Sequence, residues 1–372
     1  MHSTVYATSP YIYNIGKAGV SNVIFDCLMQ NEHKVSYDYT KMLKFACANR
    51  SYDEMAVQYG SELVNTAILY KHLLKHSILW EYSNITQASI EINTQCNWKC
   101  RFCPNHASPY AKKHMDDSLF EDILRKIDSY GRIKNLSLNF YGEPLIDSYL
   151  HERLERILDT RLNLLLFTNG SLIDGKFINA IKRFGSRATI CLNIPSIDTE
   201  EFTILTGYNR LDKVLNNLEI LLQNEINVKI AVNGDKDSRK KNISTINNRF
   251  PSITIMGFDT VDRAGAVTNE FFQNISIKEN RLFGCQSILH DLQIDIDGNV
   301  ILCCHDFHKK HKLDNIQNYD SIDKLLKSKN VKLYRKILYG SEDAPADIIC
   351  RKCSIMKSNK PFSVSMISRN IR

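Results

Sequence analysis

The 372-residue chain has no apolar run near the roughly 18–20 residues that a membrane-spanning helix requires. Its first residues, Met1-His2-Ser3-Thr4-Val5, lack the basic flank and apolar stretch of a secretory signal. Together these absences point to a cytoplasmic protein. There is no internal repeat and no low-complexity tract, which sets aside solenoid arrays and biased, unfolded segments. The string Gly16-Lys17-Ala18-Gly19 lacks the G-x4-G-K-[ST] spacing of a phosphate loop. A disulfide framework is missing too: the 11 cysteines are odd in number, and several sit in tight groups. In a reducing compartment such groups serve metal or cluster ligation. The net charge of +7 is modest for this length. A solvated lysine-rich surface accounts for it, although it also suits an acidic peptide or nucleic acid. The length implies two or three domains.

What is present centres on Thr94-Gln95-Cys96-Asn97-Trp98-Lys99-Cys100-Arg101-Phe102-Cys103-Pro104-Asn105. Three cysteines stand at C-x3-C-x2-C, just after an alternating run, 88–93, that reads as a strand. Three thiolates in one loop repel each other unless a cation or cluster neutralises them. Iron–sulfur clusters normally take four cysteine ligands. Three ligands on one loop therefore leave one iron open to a substrate or cofactor. The other readings are a zinc loop or reduced core thiols. Zinc sites draw on paired C-x2-C or Cys/His sets, which this spacing fits poorly.

The spacing resembles the signature of the radical S-adenosylmethionine (radical SAM) superfamily. The resemblance implies that Cys96, Cys100 and Cys103 hold a 4Fe–4S cluster whose open iron chelates SAM. It implies reductive cleavage of SAM to a 5′-deoxyadenosyl radical, an electron donor of flavodoxin or ferredoxin type, and a place for Phe102 near the adenine. It also implies a partial (β/α)6 TIM-like barrel. The chain suits that fold, because strand and helix patterns alternate after the loop. Strands are expected at 135–140, 162–168, 188–194, 228–233 and 253–258, with 162–168 buried on both faces. Helices are expected at 116–130, 149–158, 177–184, 211–223 and 240–250. Repeated β–α units imply a parallel sheet, and reactive groups gather at its C-terminal strand ends.

Those strand ends carry the next motifs. Tyr141-Gly142-Glu143-Pro144 matches the family's Gly-Gly-Glu-Pro, which contacts the SAM amino group, except that Tyr141 replaces the first glycine. Part of that contact runs through backbone carbonyls. Thr168-Asn169-Gly170 follows, a family string near the SAM ribose and methionyl part. Asn193-Ile194-Pro195-Ser196-Ile197-Asp198 stands where relatives carry Ser-Ile-Asp-Gly. By the same resemblance Phe102, Tyr141, Gly142, Glu143, Asn169, Asn193 and Arg263 are the cofactor-binding candidates. Arg263 could pair with the SAM carboxylate or stand free on the surface.

The C-terminal stretch changes pattern. A strand at 290–295, a turn at Asp297-Gly298-Asn299, a strand at 300–302 and a helix at 321–338 are expected. Cys285, Cys303, Cys350 and Cys353 supply four thiolates, enough for one cluster. With Gly298-x4-Cys303 they resemble the SPASM/twitch extension, in its single-cluster twitch form, and imply one auxiliary 4Fe–4S cluster. A zinc ribbon is the alternative, though its C-x2-C…C-x2-C spacing is absent. His305, His308 and His311 read as solvated histidines. Of the unassigned cysteines, Cys27, Cys47, Cys191 and Cys304, inert burial is the default. Cys191 and Cys304 are the candidates for returning a hydrogen atom to a substrate radical.

Ahead of the loop, 20–26 and 34–38 read as strands around a turn at Gln30-Asn31-Glu32, and 43–48 reads as helix. Ser51-Tyr52-Asp53-Glu54 is a capping box opening a second helix that Gly60 ends. A third carries Leu63, Ala67, Tyr70, Leu73 and Leu74 on one face. This order resembles a winged-helix-like α+β unit, the RiPP recognition element, which binds the leader of a precursor peptide. A structural cap or a DNA-binding winged helix are the alternatives. Lysines are scattered rather than massed on one helix, which argues against nucleic acid.

The resulting expectation is a cytoplasmic enzyme of three units: 1–85 binding a leader peptide, 86–268 the barrel, 269–372 the auxiliary-cluster domain. It would abstract hydrogen from a precursor peptide and form an intramolecular side-chain cross-link. The alternatives are a peptide Cα epimerase, a modifier of a small sugar or alcohol, and a non-enzymatic DNA-binding regulator.

Overall fold

The computed structural model describes residues 4–14, 23–108, 110–267, 282 and 284–353. The string Gly16–Gly19, residues 20–22 of the first expected strand, and the expected boundary between residues 268 and 269 lie outside the described residues.

The fold is mixed α/β and is built on six parallel strands: Gln87–Ile90, Asn135–Ser137, Asn163–Thr168, Ala188–Asn193, Val228–Gly234 and Thr254–Asp259. They pair in chain order, so each crossover helix returns the chain to the next position in an open, partial barrel. Helix Asp117–Tyr130 shows why the sequence complies. Leu119, Phe120, Ile123, Leu124 and Ile127 are buried on one stripe, Asp116 caps its start and left-handed Gly131 ends it. Strand Asn163–Thr168 alternates between fully and partly buried residues rather than burying both faces.

The sheet does not stop at the first barrel strand. Strand Asp291–Ile294 pairs parallel to it, with Asp291 opposite Gln87, and Asn299–Ile301 and Lys312–Asn315 continue antiparallel. One nine-stranded sheet thus runs from the barrel into the cysteine-rich tail. The expected helix 321–338 is two helices, Ile322–Leu326 and Lys329–Leu338. The break falls at Ser328, whose side chain accepts from the Val331 amide and caps the second helix.

The N-terminal unit is α+β, with helices Tyr37–Ala46, Tyr52–Tyr59 and Ser61–Leu69. The Ser51–Glu54 capping box forms and Gly60 ends its helix. Two expectations fail here. Strand Asn31–Lys34 precedes the expected 34–38, because Ser36 accepts from the Tyr39 amide and starts a helix at Tyr37. Leu73 and Leu74 are not helical. Lys71 turns the chain with a φ of 57°, and Leu73–Lys75 becomes a strand beside Val5–Thr8.

This unit is packed on the C-terminal module. Tyr11 meets Trp80 and Tyr339 edge-to-face at 6.1 and 4.8 Å. Arg335, fully buried, donates to the carbonyls of Trp80 and Leu326. His290 bonds the Cys27 carbonyl at 2.6 Å and the Asn84 carbonyl at 3.1 Å. Tyr11 is fully buried and its hydroxyl has no hydrogen-bond partner among the described residues. Tyr11→Phe should therefore leave the urea midpoint unchanged or raise stability by about 1 kcal/mol. Tyr11→Ala should cost about 3–5 kcal/mol, since the aromatic contacts go as well.

Candidate functional site

The cysteine loop follows the first barrel strand and is pinned on both sides. Lys99 and Arg101 amides donate to the carbonyls of Thr206 and Leu205, at the end of helix Thr199–Thr206. The Cys103 amide donates to the Cys100 carbonyl. Trp98 is buried, stacked on Tyr208 and edge-on to Phe202. Asn105 donates its side-chain amide to the carbonyls of Thr94 and Tyr141 at 3.3 and 3.0 Å. The loop is therefore tied to the strand end that carries Tyr141-Gly142-Glu143.

Glycine at 142 is a packing requirement. A Cβ there would overlap the carbonyl oxygen of Asn93. The close approach lets Asn93 donate to the Glu143 carbonyl at 3.0 Å, and lets the Glu143 amide donate to the Gln95 carbonyl at 2.6 Å. The Glu143 carboxylate is buried and fully engaged. It accepts from Thr168 Oγ1 at 2.6 Å, the Asn169 amide at 2.8 Å and the Leu145 amide at 3.1 Å. Asn169 in turn donates to Asn97 Oδ1 at 2.8 Å and points toward Cys96 Sγ at 4.0 Å. Behind this layer His114 and Arg153 each bond Asp147 at 2.8 Å.

These residues open onto one cavity of about 1120 Å³. Cys96, Cys100, Phe102, Cys103, Tyr141, Gly142, Glu143, Asn169, Asn193 and Arg263 all line it, with Cys304 on its wall. Pockets for one small ligand run to about 300–1,000 Å³, so this space exceeds the needs of a single small molecule. Arg263 lies over the Tyr141 ring at 5.8 Å, and no carboxylate among the described residues pairs with it. The Tyr141 hydroxyl donates to the Cys304 carbonyl at 2.6 Å.

The second cysteine group also converges. Cys303 senses the charges of Cys285 and Cys350, and Cys350 those of Cys285 and Cys353. Cys304 lines the cavity near the Arg263 charge, and it also acts on Cys303 and is acted on by Cys353. Cys191 is fully buried on the fourth barrel strand and does not line the cavity. The three histidines are not a solvated string. His311 is buried and accepts from the Ile349 amide, His305 lines the cavity, and only His308 is exposed. Asp198 of the 193–198 string turns to cap helix Thr199–Thr206.

Sequence reasoning missed Trp98, Asn233 and His305 as lining residues. Asn233 was findable, since it sits at a barrel strand's C-terminal end beside Asn193, to which it donates at 2.7 Å. His305 adjoins Cys304, and Trp98 lies within the cysteine loop itself.

The electrostatics set what can bind. Burial raises Cys96 to about 12 and Cys100 well above the usual thiol range, with neighbouring cysteines adding to both. Burial does the same at Cys303 and Cys350, and takes Cys285 to about 11. Such thiols ionise only against a strongly cationic group, so loading either site releases protons. Among the described residues, no three of these sulfurs lie within 4.8 Å of one another. One zinc ion with bonds of about 2.3 Å would draw its ligands to about 3.8 Å apart. The described sulfurs are therefore not arranged as a preformed zinc site.

The known proteins agree with this chemistry. The model of the radical SAM superfamily matches residues 90–262, and that of the iron–sulfur cluster-binding domain SPASM matches residues 285–354. An S-adenosyl-L-methionine-dependent 2-deoxy-scyllo-inosamine dehydrogenase of Niallia circulans is 30% identical over 101 residues, covering 26% of this chain and 40% of its own length. A GTP 3′,8-cyclase of Clostridium perfringens is 28% identical over 216 residues, covering 52% of this chain and 62% of its own. The chain thus spans about two fifths of the length of the first curated relatives it matches, 40% and 42%. Among solved structures, Streptococcus suis SuiB bound to the precursor peptide SuiA aligns with a TM-score of 0.59 at 12% identity. That alignment covers 93% of this chain and all of SuiB, so the likeness of fold reaches into the N-terminal unit. Among the described residues, no helix is long and apolar enough to cross a membrane.

Burial holds the Glu143 carboxyl at about 7, against hydrogen bonds that pull it down. The folded chain keeps this proton to about 7 while the unfolded chain releases it near 4.5, so stability falls as pH rises through that window. In protein without added metal or SAM, Glu143→Gln should flatten this part of the slope. Urea midpoints taken from about pH 4 to about pH 8 check it.

Proposed function

On the premise that the chain carries a radical SAM domain joined to an iron–sulfur cluster-binding domain, we propose that it modifies a ribosomally made precursor peptide in the cytoplasm. Cys96, Cys100 and Cys103 would hold the catalytic 4Fe–4S cluster. When bound, the cluster and SAM together supply a 5′-deoxyadenosyl radical, given one electron from a flavodoxin- or ferredoxin-type donor. The protein's own part is to hold, orient and dry the reactants. Phe102 and Asn169 flank the cysteine loop on the cavity side. The Glu143 carboxylate is committed to Thr168, Leu145 and the Asn169 amide, so its role is to shape the Gly142–Pro144 turn. The unpaired Arg263 guanidinium suits the SAM carboxylate. Cys285, Cys303, Cys350 and Cys353 would hold one auxiliary 4Fe–4S cluster on the far side of Tyr141. The product would be an intramolecular cross-link between peptide side chains.

One observation carries the peptide reading: an open sheet edge on an apolar face of the N-terminal unit. Among the described residues, strand Asn31–Lys34 pairs on one side only, with Val23–Asp26. Met29, Leu69 and Tyr70 are all exposed, at 49, 77 and 49%. Tyr70 lies 5.7 Å from the His33 ring of that strand. A leader could add a strand to this edge and set apolar side chains against the end of helix Ser61–Leu69. Tethering the leader raises the local concentration of the core peptide at the cavity.

The 30% identity to a SAM-dependent dehydrogenase favours a second reading, a small alcohol or sugar as substrate. The two separate on one experiment. Reconstituted enzyme with SAM and a reductant should form 5′-deoxyadenosine, and Cys100→Ser should abolish it. Leu69→Asp with Tyr70→Asp should lower affinity for the precursor peptide at least about tenfold, while SAM cleavage without peptide stays intact. Cross-linking would remove two hydrogens from the peptide mass. Turnover of a small alcohol unaffected by the paired N-terminal substitutions would overturn the peptide reading.

A further inference from the structure

The N-terminal unit contains a polar cluster that neither cysteine site uses. Asp26 ends strand Val23–Asp26, His33 lies on the paired strand Asn31–Lys34, and His72 sits in the turn before Leu73–Lys75. Asp26 and His72 are 2% and 1% exposed. One ligand atom from each of the three residues lies within 4.8 Å of the other two.

The hydrogen-bond inventory of this cluster is incomplete in one direction only. Asp26 Oδ1 is occupied, accepting from the Leu28 and Met29 amides at 2.7 and 3.3 Å. Asp26 Oδ2 accepts no hydrogen bond among the described residues; His72 Nε2 stands 3.7 Å from it, beyond hydrogen-bond range, and the Lys71 charge also acts on the carboxylate. His72 Nδ1 is paired with the Tyr39 hydroxyl at 2.7 Å. The Nε2 atoms of both His33 and His72 are buried with no hydrogen-bond partner among the described residues. Two orphan imidazole nitrogens and a half-used carboxylate in one buried place are costly unless something sits between them.

We propose that Asp26, His33 and His72 form a binding site for a divalent transition-metal ion of the zinc type, clamping the Val23–Lys34 hairpin to the turn at His72. Two imidazoles and one carboxylate are ordinary zinc ligands with bonds of about 2.0–2.2 Å. Tetrahedral ligands at that bond length stand about 3.3 Å apart, so the 3.7 Å between Oδ2 and Nε2 needs to close by only a few tenths of an ångström. Tyr39 holds the ring in place at 2.7 Å from Nδ1, and in the tautomer that donates the Nδ1 proton to the phenol oxygen, Nε2 keeps its lone pair for the metal. The two histidine rings stand edge to face at 5.0 Å, and a ring nitrogen of each lies within 4.8 Å of the other and of the Asp26 carboxylate. The ion would offset the buried Asp26 carboxylate and supply the partners both nitrogens lack.

The test uses the full chain with its iron–sulfur clusters loaded, equilibrated with zinc alone. The expected result is one zinc per chain by elemental analysis, with nitrogen and oxygen neighbours at about 2.0–2.1 Å in the zinc-edge absorption spectrum. His33→Ala, at a half-buried strand position, should weaken zinc binding by at least about a hundredfold. Asp26→Asn, which keeps the Oδ1 acceptor and the side-chain shape, should do likewise. Sulfur neighbours at about 2.3 Å would assign the zinc to the cysteines and overturn the proposal. So would zinc content unchanged in either folded variant, or no zinc retained by the wild-type chain. If neither variant folds, the wild-type absorption spectrum decides alone.

Discussion

Everything near the cavity follows from the burial of three thiols in one loop. A thiol taken out of water resists ionisation, and three neighbours resist it more. Cys96, Cys100 and Cys103 are all pushed upward, with burial the largest cause each time. A loop of this kind has no favourable charged state of its own. It has to be held in place by contacts other than its sulfurs, ready for a cationic group. The surrounding structure supplies those contacts. Gly142 lets two strand ends approach until Asn93 and Glu143 bond across the gap, Asn105 reaches back to Tyr141, and Thr206 and Leu205 receive the loop's amides. Preorganisation of this sort is set before any ligand arrives.

The same constraint explains why the three units are joined so firmly. The tail's first strand extends the barrel sheet at Gln87–Ile90, the strand that launches the cysteine loop. Glu91, directly after it, receives the Ile296 amide and pairs with Lys309. The second cysteine group is therefore positioned from the first by backbone hydrogen bonds. The N-terminal unit then packs on the tail through Tyr11, Trp80, Tyr339 and Arg335. Under the proposed peptide reading such a fixed frame has a use, because effective concentration depends on the span between two sites being held constant.

The local grammar of the chain was largely legible. Periodicity placed six strands and their helices, and the strand ends bring Cys96, Cys100, Cys103 and the seven cofactor-binding candidates to one cavity, while the tail's four proposed cluster cysteines and Cys191 lie outside it. The failures have local causes. Ser36 and Ser328 are helix caps inside stretches whose apolar spacing continues through them, so a strand became a helix start and one helix became two. At Lys71 a single left-handed residue converts a helical stripe into a strand. The non-local facts were out of reach for a different reason. Nothing in residues 291–294 says that their partner is a strand 200 residues earlier, and nothing in the polar string 305–311 says that His311 faces inward to Ile349. The cluster of Asp26, His33 and His72 draws on three separate elements and leaves no spacing to read.

Tyr141 shows how a departure from a family pattern acquires a physical meaning. Taken alone, tyrosine in place of the first glycine removes backbone freedom from a motif expected to use it. In the folded chain its carbonyl accepts from Asn105, which ties it to the cysteine loop, and its hydroxyl donates to the Cys304 carbonyl. Its ring stands edge-on to Phe140 and Phe307 and lies under Arg263. Cys304 and Cys303 of the tail and Cys103 of the barrel loop all act on it electrostatically. Burial pushes the phenol upward, so it stays protonated and remains a donor. A glycine at 141 would leave the barrel's cysteine loop and the tail's cysteines without this brace. The residue that fits the motif least is thus the one that joins the two halves of the site.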